Sequence, residues 1–292
     1  VIDLHLHTTA SDGILSPASL VARAADAGLR VISVTDHDTV AGIPEARDAA
    51  SRLGLRLVAG IEITAIEDDR DVHVLGYFFD SGDRDLESFL DGQRAARVDR
   101  VREIGGRLRE LHVPVDVDAI LAAAACDVGR SIGRPAVADA LVAAGHAVDR
   151  TDAFDRWLGR GRPAFMPRRG PTLAQVVAVI AAAGGIASLA HPGLNDLDAR
   201  IPSFVRSGLS AIEARHRDHD ASAEAHYREM ARTLGVAVSG GSDFHGLVDP
   251  TTGSTASTLG VITLAAEDFA ALEARWRQSP ERTAATDANA SR

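Results

Sequence analysis

The chain has 292 residues, 46% hydrophobic and 25% charged, and its 31 basic and 41 acidic side chains leave a net charge of −10. That is the make-up of an ordinary globular protein, long enough for one large α/β domain with an insertion, and its acidic balance disfavours wrapping of duplex nucleic acid. Every basic residue is arginine; the absence of lysine excludes Schiff-base chemistry, a Walker-type phosphate loop and a carbamylated-lysine metal bridge.

The chain opens with Val1-Ile2-Asp3-Leu4-His5-Leu6-His7, a short apolar strand carrying two histidines at i and i+2. Side chains alternate along a strand, so both imidazoles face one way, about 6.6 Å apart along it. Asp12 follows in a loop with Gly13, and Ser16-Pro17 reads as the N-cap and first residue of a helix ending at Gly28. The strand Leu29–Val34 leads into Thr35-Asp36-His37-Asp38, and a helix through Glu45 ends at Leu53-Gly54. Two further strands, 55–63 with Glu62 and 72–79 with His73, continue a rhythm that predicts parallel β/α architecture.

The alternation stops between about 89 and 169, where helices are expected at 93–109, 116–126, 133–144 and 151–158 as an inserted all-helical cap. The first of these carries six arginines, from Arg94 to Arg109, and reads as a solvated or acid-paired face; Cys126 reads as a buried small hydrophobe. The β/α rhythm then resumes with strand 186–190 ending in His191-Pro192-Gly193, and strand 209–216. A helix at 221–234 and strand 236–239 lead into Gly240-Gly241-Ser242-Asp243-Phe244-His245. A last helix is expected at 266–277. The expected organisation is a discontinuous barrel domain, 1–88 and 170–278, the cap at 89–169 and a flexible tail at 279–292. One cysteine, no apolar run of about 18 residues and no basic segment before an apolar one predict a cytoplasmic protein without a membrane span.

His5, His7, His37, Glu62, His73, His191, Asp243 and His245 all fall on or just after predicted strands, with Asp12 in the loop after the first. In a β/α barrel those ends form one face, where active sites are built. Imidazoles with carboxylates and no thiolate suit manganese first, with iron, zinc or magnesium as alternatives. Nine ligands exceed the needs of one ion, so two or three divalent cations are expected. Asp36 and Asp38, flanking His37, are candidates for orienting an imidazole.

These motifs resemble the PHP (polymerase and histidinol phosphatase) family. The matching stretches are Asp3 to His7, Ser11-Asp12-Gly13, Thr35 to Asp38, Gly60-Ile61-Glu62, the His73 strand, Ala190-His191-Pro192 and Gly241 to His245. The resemblance implies a distorted seven-stranded β/α, TIM-like barrel and a metal-dependent phosphoesterase whose ligands are the nine residues above. Two stretches, 161–167 and 212–219, resemble the branch that hydrolyses nucleoside 3′,5′-bisphosphates and trims short RNA from its 5′ end. By that resemblance Arg134 contacts substrate phosphate and His219 faces the site, the two expected catalytic residues; Arg162 and His216 join them as substrate contacts.

The expected reaction is attack on a phosphoester by a water that the metals ionise, with Arg134 on the phosphate oxygens and His219 as acid for the leaving 3′ oxygen. The expected partners are a small phosphorylated nucleotide or short single-stranded RNA, not duplex DNA or membrane. Competing readings are a histidinol-phosphate phosphatase of the same family, an amidohydrolase in which Glu62 replaces the missing lysine, and a non-enzymatic metal-binding module.

Overall fold

The computed structural model describes residues 1–126, 129–246 and 259–279. Seven strands form one sheet in chain order: β1 Ile2–Leu6, β2 Val31–Val34, β3 Arg56–Glu67, β4 Arg70–Tyr77, β5 Ile186–Leu189, β6 Ala211–Arg215 and β7 Ala237–Gly240. Just beyond β7, Phe244 bridges Leu6, and His7 N–H donates to the Phe244 carbonyl at 2.9 Å. That contact brings the two edges together and nearly closes the barrel. Helices α1 Pro17–Asp26 and α2 Ile43–Leu53 link the first three strands; α7 Leu173–Ala182, α8 Ile201–Arg206, α9 Ala221–Leu234 and α10 Ala266–Arg277 accompany the last three. No helix among the described residues is long and apolar enough to cross a membrane.

One strand departs from the all-parallel expectation. β4 pairs antiparallel with both β3 and β5, whereas the other pairs are parallel. The cause is local: Asp68 and Asp69 turn with φ of 49° and 59°, a left-handed pair that joins β3 to β4 as a hairpin with no room for a crossover helix. The reversal puts the beginning of β4, not its end, at the mouth where the other strands finish. His73 therefore stands beside Thr64 in register.

The first helix after β4 starts earlier than its sequence predicts. Helix α3 runs from Arg84 to Glu110, N-capped by Asp83. Leu86 and Leu90 pack into the barrel core with Ile61, Ile63 and Val74, while Val101, Ile104 and Leu108 belong to a separate apolar cluster. That second cluster also takes in α4 Val117–Ala125, α5 Arg134–Ala143 and α6 Arg150–Ala153, which continues into a π-helical turn at Phe154–Leu158. Cys126 caps α4 and is exposed, not buried, like Ala122, Ala123 and Ala125, while Ile120, Leu121 and Ala124 of α4 pack against the cluster. The expected tail lies outside the described residues apart from Ser279.

Leu108 is fully enclosed in the cap cluster. Leu108→Ala is expected to destabilise the protein by about 2–5 kcal/mol through the lost burial and residual cavity, measured by denaturant unfolding.

Candidate metal centre

The nine candidate ligands converge at the barrel mouth around Glu62, a carboxylate with almost no solvent exposure. Its Oε2 lies 3.3 Å from His5 Nε2, 3.2 Å from His7 Nε2 and 3.1 Å from His37 Nδ1. Its Oε1 lies 2.7 Å from His73 Nδ1 and 3.1 Å from His191 Nε2. Asp243 Oδ1 is 3.2 Å from His7 Nε2, and Asp12 Oδ1 is 3.2 Å from His245 Nε2. Among the described residues four interlocking sets result: His7, Asp12, His37 and His245; His5, His7, Glu62 and Asp243; His37, Glu62 and His73; and His5, Glu213 and His216.

The chemistry of these donors fits divalent cations. Both nitrogens of His7, the Nδ1 atoms of His37 and His73, and Asp12 Oδ1 are buried without a hydrogen-bond partner among the described residues. Groups that approach within 3.3 Å yet lack hydrogen-bond geometry are aimed at shared points between them, as ligands of common ions are. The electrostatics agree. Burial works against charge on His7, but the Asp243 and Glu62 carboxylates overcome it and push its pKa up to about 10. Burial likewise opposes the charges of Glu62, Asp12 and Asp243, yet neighbouring histidines hold all three well below the usual carboxylate range. For His37 burial wins and lowers the pKa to about 3, leaving a neutral imidazole.

Three of the eight described non-glycine residues with positive φ stand at the mouth. Asp38, His191 and Asp243 carry φ of 52°, 27° and 51° just after β2, β5 and β7. Left-handed conformations of such residues cost on the order of 1–3 kcal/mol each and persist where surrounding bonds over-determine them. Asp38 N–H donates to the Glu62 carbonyl at 2.9 Å, and His191 N–H donates to Glu213 Oε2 at 2.7 Å. Gly241 brings the end of β7 against β1; a Cβ there would run into His5 and Asp3.

Residues outside the nine hold the ligands and the loops that bear them. Glu213 is fully buried on β6 and accepts from His5 Nδ1 at 2.9 Å as well as from His191 N–H. Its sequence signal was a charged residue between Ile212 and Ala214 in an otherwise apolar strand. Neither aspartate beside His37 orients an imidazole. Asp36 instead accepts from Thr8 N and Oγ1 and Ser11 Oγ, fixing the loop that bears Asp12. Asp38 Oδ2 binds Arg97 Nε at 2.5 Å and Arg168 Nη2 at 2.7 Å, so it clamps both ends of the helical insertion beside His37. Against the cost of burial, Arg168 and Arg97 hold the Asp38 carboxyl far below its ordinary range.

The four expected substrate contacts are placed differently from one another. Arg134 Nη2 lies 3.1 Å from Asp71 and shares with Arg97, Arg100 and Arg168 a cavity that also touches Asp12, His37 and His73. Arg162 is exposed and lines none of the described cavities. His216 is fully buried beneath the centre, its Nε2 3.5 Å from Asp243 Oδ2, and so does not present itself to substrate. His219 Nδ1 donates to the Ala214 carbonyl and its Nε2 accepts from Gly193 N–H. Burial lowers its pKa, and both ring nitrogens are engaged by backbone groups. The arginine helix is two-faced: Arg94, Arg97 and Arg100 reach inward to Asp38 or Asp71, while Arg102 and Arg107 pair locally with Asp99 and Glu110.

Because Glu213 fixes the tautomer and direction of His5, Glu213→Gln is expected to weaken metal affinity about 10–100-fold with the fold retained, measured by metal titration alongside circular dichroism.

The PHP domain profile matches residues 3–114. The chain is 35% identical over 252 residues to the 5′-3′ exoribonuclease Rnm of Salmonella typhimurium, covering 84% of this chain and 85% of that protein. It is 32% identical over 249 residues to the 3′,5′-nucleoside bisphosphate phosphatase of Chromobacterium violaceum, covering 84% and 87%. A solved metal-dependent phosphoesterase from Bifidobacterium adolescentis superposes with a TM-score of 0.84 at 33% identity, over 94% of this chain and 96% of that one. With its mouth of imidazoles and carboxylates on a seven-stranded barrel, the chain belongs to the PHP family and is a hydrolase of phosphoric ester bonds.

Proposed function

We propose that the protein hydrolyses the 3′-phosphate ester of nucleoside 3′,5′-bisphosphates and, by the same chemistry, the first phosphodiester of short 5′-phosphorylated RNA. Support comes from relatives bearing those two activities in their names. The single observation that carries the reading is a cavity of about 120 Å³ in the seam between barrel and cap. One wall is Asp12, His37 and His73 from the candidate metal centre; the other is Arg97, Arg100, Arg134 and Arg168. Asp38 neutralises part of that charge on Arg97 and Arg168, and Asp71 part on Arg100 and Arg134. Four cations against two carboxylates leave a positive surplus suited to a second phosphate on the same substrate. The cationic amine of histidinol phosphate would meet guanidiniums there, which favours the nucleotide over that alternative.

His5, His7, Asp12, His37, Glu62, His73, His191, Asp243 and His245 would hold two or three divalent cations, with manganese the first choice. Bound there, such ions supply Lewis-acid polarisation of the phosphoryl oxygens and ionise a water near neutral pH. The chain's own part is to orient the substrate. Arg134 and Arg100 fix the second phosphate, and Glu213 and Asp38 hold the ligands and the seam in place. Water adds to phosphorus and the P–O3′ bond breaks. The released 3′ oxygen takes up a proton, leaving a nucleoside 5′-monophosphate with either orthophosphate or a shortened RNA.

Manganese-loaded protein is expected to release phosphate from adenosine 3′,5′-bisphosphate with the 5′-monophosphate as product, and much more slowly from histidinol phosphate, in a side-by-side assay. Arg134→Ala is expected to raise the KM for the bisphosphate about tenfold or more while leaving the KM for histidinol phosphate little changed. Preference for histidinol phosphate would overturn the substrate but not the centre.

A further inference from the structure

The seam cavity opens on both sides, and the two openings differ in chemistry. On one side it adjoins a space of about 280 Å³, sharing Asp12, Gly133 and Pro135. The charged side chains of the cap there are Asp139 and Arg150, which pair with each other, and Arg130, and no aromatic ring lines the space. On the other side, through Asp71 and Arg134, it adjoins a cleft of about 350 Å³. That cleft is lined by Asp69 and Arg70 from the β3–β4 hairpin, Arg160 and Phe165 from the end of the cap, and Leu194 and Asn195 from the turn after His191, so that with Asp71 and Arg134 it holds three arginines against two carboxylates. Three separate chain segments thus supply its walls, each tied to the centre through a strand or loop already described.

Two features of the cleft are not explained by folding. Arg70 Nη1 and Arg160 Nη1 donate to the backbone carbonyls of Asn195 and Asp69, and among the described residues neither pairs with a carboxylate. Their charge is left available in a chain whose net charge is −10. Leu194 is 56% exposed although it is a large apolar side chain, and it shares the cleft with the ring of Phe165. Cations spaced between apolar and aromatic surfaces are what a single-stranded nucleic acid requires: charge for successive phosphates and flat faces for the bases. The seam cavity is too small for a nucleoside, whereas each flanking space approaches the size of an ordinary small-ligand pocket. A mononucleoside bisphosphate fills the seam and one of them; an oligonucleotide has use for both.

We infer that the cleft formed by Arg70, Arg160, Phe165 and Leu194 is a subsite for the RNA chain beyond the reacting bond, holding the second nucleotide of a 5′-phosphorylated single strand. The inference rests on the nucleotide reading above and deepens it: the protein is built for oligomers, with the bisphosphate as the shortest substrate that fits. The base lies against Phe165 and Leu194, and Arg70 and Arg160 take the phosphate that follows.

The test compares wild type with Arg160→Ala, Phe165→Ala and the Arg70→Ala/Arg160→Ala pair in two measurements. The first is kcat/KM of the manganese-loaded enzyme for a 5′-phosphorylated hexaribonucleotide, divided by that for adenosine 3′,5′-bisphosphate. This ratio is expected to fall at least about tenfold in the double variant, with Phe165→Ala lowering it in the same direction. The second is fluorescence-anisotropy binding of the same hexamer, labelled at its 3′ end, to metal-free protein. There the double variant is expected to bind about tenfold more weakly and with a salt slope reduced by about 1 to 2. Parallel loss of both activities would place the leaving nucleoside in this cleft instead and overturn the inference, as would hexamer binding within twofold of wild type. Absence of turnover on both substrates by wild type would defeat the proposed function. The binding measurement would still decide whether the cleft takes RNA.

Discussion

The buried carboxylate of Glu62 is the constraint on which the mouth of the barrel depends. An ionised carboxylate withdrawn from water costs several kcal/mol unless cations or donors surround it. Here five imidazoles, His5, His7, His37, His73 and His191, approach its two oxygens from four strands or the loops that follow them. Each imidazole is in turn fixed by its own strand, so the sheet and the charge balance are one problem. β3, paired between β2 and β4, carries Glu62 within reach of all of them. A barrel whose interior at this level were apolar would be simpler to fold. The polar mouth makes sense as a cradle for divalent ions, which replace the protons that the carboxylates otherwise attract.

Charge of the opposite sign is arranged a few ångströms away. Acidic and imidazole groups form the floor, and the guanidiniums of α3, α5 and the segment that leaves the cap form the roof. Asp38 and Asp71 stand among them and offset part of the repulsion between the arginines; burial, with the neighbouring guanidiniums, still holds Arg100 and Arg134 below the ordinary arginine range. An anionic substrate entering this seam adds to a network that already has vacancies for negative charge. In a protein of net charge −10 such a local field is also directional, drawing phosphates to one slot rather than to the surface at large.

Much of this was legible in the sequence because strand ends are short and chemically conspicuous. His5 and His7 on alternate positions of an apolar strand, or Asp243 and His245 after a double glycine, declare a shared face without any knowledge of the fold. Less visible were the residues that act through others. Glu213 was obscured by its place in an ordinary strand, and Arg97 by its place in a helix with six other arginines, where only the i, i+3 spacing of Arg94, Arg97 and Arg100 separates the inward face from the solvated one. His219 is the converse case: the family resemblance gave it a part in the reaction, and in the structure both its nitrogens bond to neighbouring backbone. The reversal of β4 escaped because strand periodicity carries no direction; only the short spacing between Glu67 and Arg70 excluded a crossover.

That reversed strand sets a dimension elsewhere in the molecule. Because β4 ends at the foot of the barrel, the chain that enters the insertion starts from the wrong side and has to climb the outside wall before it reaches the mouth. Helix α3, with 27 residues rising about 1.5 Å each, spans about 40 Å, a barrel's height and more. It therefore works as a strut of fixed length. Each turn added or removed would raise or lower the arginine roof by about 5.4 Å and swing it around the axis. The gap between roof and floor, and with it the thickness of whatever can slide between them, is written in the residue count of one helix.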